Sequence, residues 1–80
     1  MAERTIKSPL PGTYYRRPSP EADPYVSEGD RVEAGTVVGL VEIMKNFHEI
    51  TSEEEGVIER FLVENDELVD AGQDIIALAD

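Results

Sequence analysis

The sequence contains no cysteine, no tryptophan and a single histidine, His48, among its 80 residues. A chain without cysteine forms no disulfide and offers neither a thiol nucleophile nor a thiolate metal ligand. One histidine is too few for a zinc or copper site of its own. No apolar run approaches the roughly 18 residues that cross a membrane, and the start, MAERTIKSPLPG, lacks the apolar segment of a secretory signal. These absences predict a soluble, cytoplasmic protein without a resident metal.

Positive charge is scarce as well. Seven lysine and arginine residues stand against eighteen aspartate and glutamate residues, which gives a formal net charge of −11. Such a chain repels the phosphates of nucleic acids and of anionic membranes. We therefore expect no nucleic acid and no membrane partner, and instead docking on basic protein surfaces. A chain of this length suits one small core, so we predict a single domain over residues 1–80.

Helical periodicity is weak throughout the chain. Short apolar or alternating runs recur instead, among them TVVGLVEI, GVIERFLV and DIIALA. Turn signals rich in glycine, aspartate or proline, such as SEGD, EEEG and ENDE, separate these runs every several residues. Many short strands between turn signals are typical of a β-sandwich or barrel, so the predicted fold class is all-β.

An internal repeat divides the chain into two halves. The stretch SEGDRVEAGTVVGLV aligns without gaps on ENDELVDAGQDIIAL, so that VEAG matches VDAG. The turn residues fall together, as do the apolar residues Val38 and Ile75. We therefore predict quasi-two-fold symmetry, with about four strands from each half and eight strands in all.

The first half carries an insertion. Gly12 precedes Val32 by twenty positions, whereas the equivalent Gly56 precedes Val69 by only thirteen. The segment PSPEADP accounts for the difference, and its three prolines cannot pair within a central strand. We expect this segment, here called the thumb, to protrude as a stiff loop. The thumb residues are Pro18, Ser19, Pro20, Glu21, Ala22, Asp23 and Pro24.

The segment VEIMKNFHEI, at the junction of the halves, contains Lys45, one of only two lysines in the chain. Predicted strands over residues 36–43 and 46–51 leave a two-residue turn of Met44 and Lys45. Met-Lys is unusual there, because tight hairpins favour residues that accept positive φ, and backbone strain of this kind tends to be kept for function. An exposed lysine at a rigid tip suits a covalent modification that extends it as an arm.

The residues around this lysine carry a family resemblance. EIMKNFHEI resembles the attachment motif of biotinyl domains, whose usual core is Ala-Met-Lys-Met, and SPLPGTYYRRPSP resembles the SPMVGTFY and PSP segments of the biotin carboxyl carrier family of bacterial-type acetyl-CoA carboxylases. The likeness covers nearly the whole chain. It implies a flattened eight-stranded barrel-sandwich hybrid, with the modified lysine on a hairpin turn and a thumb in the first half.

The resemblance also implies a role for each residue of the turn. Lys45 is then the biotinyl-lysine, Met44 the methionine that precedes it, and Glu42 the acid three positions before it. Two positions depart from the motif, because Ile43 replaces the usual alanine and Asn46 replaces the usual second methionine. We still expect modification, and the departures bear on which ligase recognises the domain.

The same resemblance implies three partner enzymes, each with its own reaction. A biotin protein ligase attaches biotin covalently, a biotin carboxylase loads the biotin with a carboxyl group, and a carboxyltransferase passes that group to an acyl-CoA. Acetyl-CoA is the expected acceptor, toward malonyl-CoA and fatty acid synthesis. The carrier shuttles carboxybiotin and supplies reach and local concentration, so we expect no catalytic residue in the chain itself.

Two other functions fit a hairpin lysine. A lipoyl carrier domain of a 2-oxoacid dehydrogenase or glycine cleavage complex has a related fold, although Asp-Lys-Ala or similar is usual at its turn. An unmodified assembly adaptor would tolerate replacement of Lys45 by arginine. The methionine before the lysine and the presence of a thumb favour biotin, and the mass of the adduct separates the three possibilities.

Overall fold

The computed structural model describes residues 4–79, which form eight β-strands and, within that range, no helix. The strands are β1 (Arg4–Lys7), β2 (Gly12–Tyr15), β3 (Arg31–Val32), β4 (Val37–Ile43), β5 (Asn46–Thr51), β6 (Gly56–Phe61), β7 (Glu67–Val69) and β8 (Asp74–Ala79). The all-β prediction is confirmed. Strand β5 has the predicted bounds, and β4 begins one residue later than predicted.

The strands form two antiparallel sheets that enclose one core. Their orders are β1-β8-β6-β3 and β5-β4-β2-β7. Shifting every strand by four places in the chain converts one order into the other, because β1 corresponds to β5, β2 to β6, β3 to β7 and β4 to β8. The predicted quasi-two-fold symmetry is therefore confirmed. The flattened shape is also as expected, since the molecule measures 36 × 25 × 20 Å.

The symmetry extends to the turns that the repeat identified. The amide of Gly35 donates to the carbonyl of Ser52 over 2.8 Å, and the amide of Gly72 donates to the carbonyl of Ser8 over 2.7 Å. Both glycines have positive φ, 93° and 82°, a conformation that glycine adopts without steric cost. This requirement explains why VEAG and VDAG both end in glycine.

The core lies between the inner faces of the sheets. Side chains alternate between the two faces of each strand, so in β2 Tyr14 is fully buried while its neighbours are only half-buried. Most core positions are filled by β-branched residues, which suit strands. The buried core residues are Ile6, Tyr14, Val26, Val32, Val38, Val41, Ile50, Ile58, Val63, Val69, Ile75, Ile76 and Leu78.

The thumb leaves the end of β2 and returns before β3. The amide of Tyr25 donates to the carbonyl of Arg16 over 2.9 Å, which brings the two ends of the insertion together. Inside the thumb, the amide of Ala22 donates to the carbonyl of Ser19 over 3.1 Å. Residues 18–24 belong to neither sheet, so the prediction of a loop that protrudes from the first half is confirmed.

Candidate functional site

The β4–β5 turn is a tight hairpin. Ile43 pairs with Asn46 in the strand register, so Met44 and Lys45 alone form the turn, as predicted. Their φ angles are 50° and 68°, which is the backbone of a type I′ turn. The left-handed region costs a residue with a side chain roughly 1–2 kcal/mol. The turn therefore holds two strained residues at positions where Asn-Gly would be relaxed.

The amine of Lys45 is unengaged. Lys45 is exposed and forms no hydrogen bond or ion pair with any other residue in the range 4–79, and Met44 beside it is 89% exposed. The other lysine, Lys7, is hydrogen-bonded and ion-paired to Asp74. This hydrogen bond lowers the pKa of the Asp74 carboxyl. Of the two lysines, Lys45 is the one whose amine points freely into solvent.

The base of the hairpin is held from both sides. Strand β4 pairs with β5 on one edge and with β2 on the other, and Val41 on β4 is fully buried. Strand β2 passes very close to β4 at Gly12, where an added Cβ would lie 2.4 Å from the carbonyl oxygen of Glu42. Only glycine allows this approach. The fold thus presents a strained, exposed tip on a fixed base.

Glu42 connects the hairpin to the root of the thumb. The hydroxyl of Tyr15, the last residue of β2, donates to Oε1 of Glu42 over 2.8 Å, and this hydrogen bond raises the pKa of the Tyr15 phenol. Phe47 lies opposite Glu42 in the register, and its ring centre is 6.2 Å from that of Tyr15. Glu42 makes no ion pair with Lys45; its carboxylate is engaged by the thumb root instead.

A cleft separates the thumb from the hairpin. Its volume is about 280 Å³, and its walls include Pro18 and Pro20 of the thumb, Phe47 of β5 and Asp66 of the β6–β7 loop. Phe47 is only two positions from Lys45 in the chain. An arm attached to the lysine would therefore start beside this cleft.

Arg16 fixes the thumb root to the second half of the chain. Its Nη2 donates to the carbonyl of Val63 over 2.9 Å and lies 3.3 Å from the carboxylate of Glu64. The guanidinium carbon is 4.2 Å from the centre of the Phe61 ring, a cation–π contact. The backbone amide of Arg16 donates to Oδ1 of Asn65 over 2.8 Å. The thumb therefore projects from an anchored base.

The turn residues predicted from the sequence lie together on one hairpin. Ile43 is half-buried at its base, and Asn46 is exposed on the other strand. The thumb residues Pro18, Ser19 and Pro20 stand across the cleft from Phe47, which follows the turn. The sequence reasoning missed Tyr15, which joins the two parts. The available signal was the alternation in GTYY, which turns the second tyrosine outward when the first is buried.

Within residues 4–79, no three acidic or histidine side chains come together in a way that could hold a metal ion. None of these residues belongs to a helix with the length and hydropathy needed to span a membrane.

Fold and turn together define a class of protein, a small barrel-sandwich domain that presents one lysine on a tight hairpin. The comparison with protein families identifies it further. The biotin/lipoyl family, described as "Biotin-requiring enzyme", matches residues 4–78. The chain belongs to this family, and the resemblance inferred from the sequence is confirmed.

Relatives and solved structures agree with this assignment. The chain is 44% identical over 69 residues to the biotin carboxyl carrier protein of acetyl-CoA carboxylase from Porphyra purpurea, covering 86% of the chain and 44% of that protein. It is 34% identical over 78 residues to the protein of the same name from Haemophilus influenzae, covering 98% of the chain and 50% of that protein. It thus spans half or less of the length of these relatives. The crystal structure of Kluyveromyces lactis urea carboxylase matches 99% of the chain with a TM-score of 0.76, at 23% identity and over 6% of that enzyme, and shares the fold.

Proposed function

We propose that the chain is a biotin carboxyl carrier domain that is biotinylated on Lys45 and serves a biotin-dependent acetyl-CoA carboxylase. The observation that carries the proposal is the turn itself, a type I′ hairpin whose strained second residue is an exposed lysine without a partner in residues 4–79. Similarity to two biotin carboxyl carrier proteins of acetyl-CoA carboxylase supports the assignment of biotin and of this carboxylase. The domain has no catalytic residue of its own, and its contribution is position and reach.

Lys45 supplies the nucleophile for attachment. A biotin protein ligase activates the carboxyl group of biotin as an adenylate, and Nζ of Lys45 forms an amide with that carboxyl carbon. AMP leaves, and the amine loses one proton in the process. Met44, Ile43 and Asn46 flank the lysine on the turn and are the side chains that a ligase meets next to the amine. Because Glu42 makes no ion pair with Lys45 and accepts a hydrogen bond from Tyr15 instead, the ligase supplies the base that removes the proton.

Biotin, once attached, supplies a ring nitrogen that accepts a carboxyl group and gives it up again. The proposed partners are a biotin carboxylase, which loads the arm, and a carboxyltransferase, which unloads it onto an acyl-CoA. The fixed base of the hairpin and the anchored thumb keep the domain rigid while the arm moves. We propose the cytoplasm for this chain; its similarity to a carrier from the bacterium Haemophilus influenzae supports this location, whereas a similar carrier from Arabidopsis thaliana is named as chloroplastic.

Labelled bicarbonate tests the carrier function. The biotinylated chain is incubated with a biotin carboxylase, ATP and ¹⁴C-bicarbonate, and protein-bound label is counted after rapid gel filtration. We expect acid-labile label on the wild type, label on the matched variant Lys7→Arg, and none on Lys45→Arg. Label that persists on Lys45→Arg would disprove the assignment, and a biotinylated wild type that takes up no label would disprove the carrier function.

A further inference from the structure

Leu68 is an exposed apolar side chain on the lysine end of the molecule. It is the middle residue of β7 and is 76% exposed. The register places it opposite Thr13, Thr13 opposite Glu42, and Glu42 opposite Phe47. These four residues, here called the tip row, cross the outer face of one sheet at neighbouring-strand spacings of about 4.8 Å. The row lies just below the Met44–Lys45 turn and has an apolar side chain at each end.

The quasi-two-fold symmetry indicates that the fold does not require an apolar residue at this position. The residue equivalent to Leu68 in the first half is Arg31, on the equivalent edge strand β3. Its side chain is 62% exposed and pairs with Glu55 over 3.4 Å. The same backbone position thus accepts a charged residue at the far end of the molecule. Leu68 is left in water at the lysine end of the sheet, although the equivalent position in the first half holds a charged, solvated side chain.

Charge around Leu68 indicates the chemistry of what covers it. Asp66, Glu67 and Asp70 flank it along the chain and are exposed. In the part of the chain that the structure describes, none of the three forms an ion pair with lysine or arginine. A partner surface with lysine or arginine around a small apolar pocket would neutralise these acids and bury the leucine. Nucleic acid offers neither feature.

Attachment of biotin to Lys45 strengthens the preference for a basic partner surface. Lys45 lies in the turn between two members of the tip row, three positions after Glu42 and two before Phe47. Conversion of its amine to an amide removes that charge and makes a chain of net charge −11 more negative by one unit. A basic partner would therefore prefer the modified domain over the unmodified one, which is the discrimination that a carrier needs.

We infer that the tip row, with Leu68 as its anchor, docks the domain on a basic protein face of the enzyme subunit that loads the arm. The inference rests on the proposed function and adds to it a surface and the chemistry of the partner. Leu68 inserts into the apolar pocket, and the acids around it meet the basic border. The contact is small and transient, as suits a domain that must leave again.

Steady-state carboxylation by a biotin carboxylase tests this surface. The chain is first biotinylated, and an adduct on Lys45 is verified by mass for every variant, so that a failure of attachment is recognised separately. Wild type, Leu68→Ala and Leu68→Arg are then compared as substrates. The matched control is Ala34→Arg, which adds the same charge in the exposed β3–β4 turn at the opposite end of the molecule. Carboxylation of free biotin by the same enzyme preparation verifies that the enzyme is active.

We expect kcat/KM to fall about tenfold for Leu68→Arg and about threefold for Leu68→Ala, in line with the loss of a buried apolar anchor. Ala34→Arg should stay within about twofold of wild type. Added salt should lower kcat/KM for the wild type, because screening weakens the acidic–basic contact. Equal values for Leu68→Arg and wild type would overturn the inference, and so would an equal loss in Leu68→Arg and Ala34→Arg.

Discussion

Tyr14 keeps a hydroxyl group inside the core. It is fully buried, and its hydroxyl donates to the carbonyl of Val38 over 3.3 Å. Burial disfavours the phenolate and raises the pKa of Tyr14 to about 12. The native state therefore holds this proton more tightly than the unfolded chain does, in which the tyrosine pKa is about 10.

Stability should fall on the alkaline side for this reason. The contribution of Tyr14 is fully present below about pH 10 and is lost as pH rises through about 12, which amounts to about 2–3 kcal/mol. Urea unfolding at a series of pH values measures it. At neutral pH, Tyr14→Phe should be less stable than the wild type by about 1 kcal/mol. Between about pH 10 and about pH 12, it should lose much less stability than the wild type does. Parallel pH profiles for wild type and Tyr14→Phe would refute this role.

Two surface tyrosines give a matched test of the link between thumb and hairpin. The pKa of Tyr15 is raised chiefly by its hydrogen bond to Glu42, and that of Tyr25 by burial and by the charge of Glu49. We expect Glu42→Ala to lower the pKa of Tyr15 and to leave that of Tyr25 unchanged. Glu49→Ala should lower the pKa of Tyr25 and leave that of Tyr15 unchanged. Titration of the tyrosine ring carbons by NMR follows each phenol separately, and a Tyr15 pKa that is the same in Glu42→Ala as in the wild type would exclude the hydrogen bond.

At the scale of elements, the hairpin turn presents Met44 and Lys45 at a cost in stability, because both residues have positive φ. Met44 has a φ of 50°, where asparagine is tolerated much better than methionine. Met44→Asn should therefore raise the free energy of unfolding by up to about 1 kcal/mol, measured as a higher melting temperature. The same variant should be a poorer substrate for biotin ligase, because the side chain beside the amine has changed. A variant that gains no stability would argue against strain in this turn.

The thumb is the element that the core does not need. Tyr25 already bonds to Arg16 across the root of the insertion, and the second half makes the equivalent passage without an insertion. Deletion of residues 18–24 should change the unfolding free energy by less than about 1 kcal/mol, since shortening a loop has a small entropic effect. It should alter the rate at which ligases modify Lys45. A loss of several kcal/mol in urea unfolding would instead make the thumb part of the structural core.

Most elements could be predicted because local chemistry specifies them. Alternating apolar runs predicted the strands. The VEAG/VDAG repeat predicted the symmetry, because both turns require a glycine at positive φ. The repeat also located the insertion by counting. The turn that precedes β3 also needs a residue with positive φ, which is Gly29. In the second half Asp66 takes this place with a φ of 72°, so the sequence did not reveal the need for positive φ there.

The contacts between elements could not be predicted in the same way. The bond between Tyr15 and Glu42 joins residues 27 positions apart, and the contact of Arg16 with Val63 joins residues 47 positions apart. Both depend on which strands are neighbours and on their register, and a repeat does not specify those. The exposure of Leu68 has the same origin, because ELV alone does not tell which residue faces the core.

At the scale of the whole molecule, the two ends that the quasi-two-fold symmetry relates present different features. One end holds the hairpin turn, and the equivalent place at the other end is where β1 begins beside β8, with Arg4 opposite Leu78. Lys45 therefore lies at the end of the molecule opposite to this part of the β1–β8 pair. The net charge of −11 repels like-charged neighbours and favours short encounters with basic partners.

The most direct test is the mass of the intact chain, with peptide mapping, after incubation with biotin protein ligase, ATP and biotin. A single biotinyl adduct on the peptide that contains Lys45 is expected, present in Lys7→Arg and absent in Lys45→Arg. A parallel incubation with a lipoate ligase and lipoate should leave the mass unchanged. A lipoyl adduct without a biotinyl adduct would assign the chain to the lipoyl carriers, and no adduct with either ligase would contradict a carrier function at this lysine.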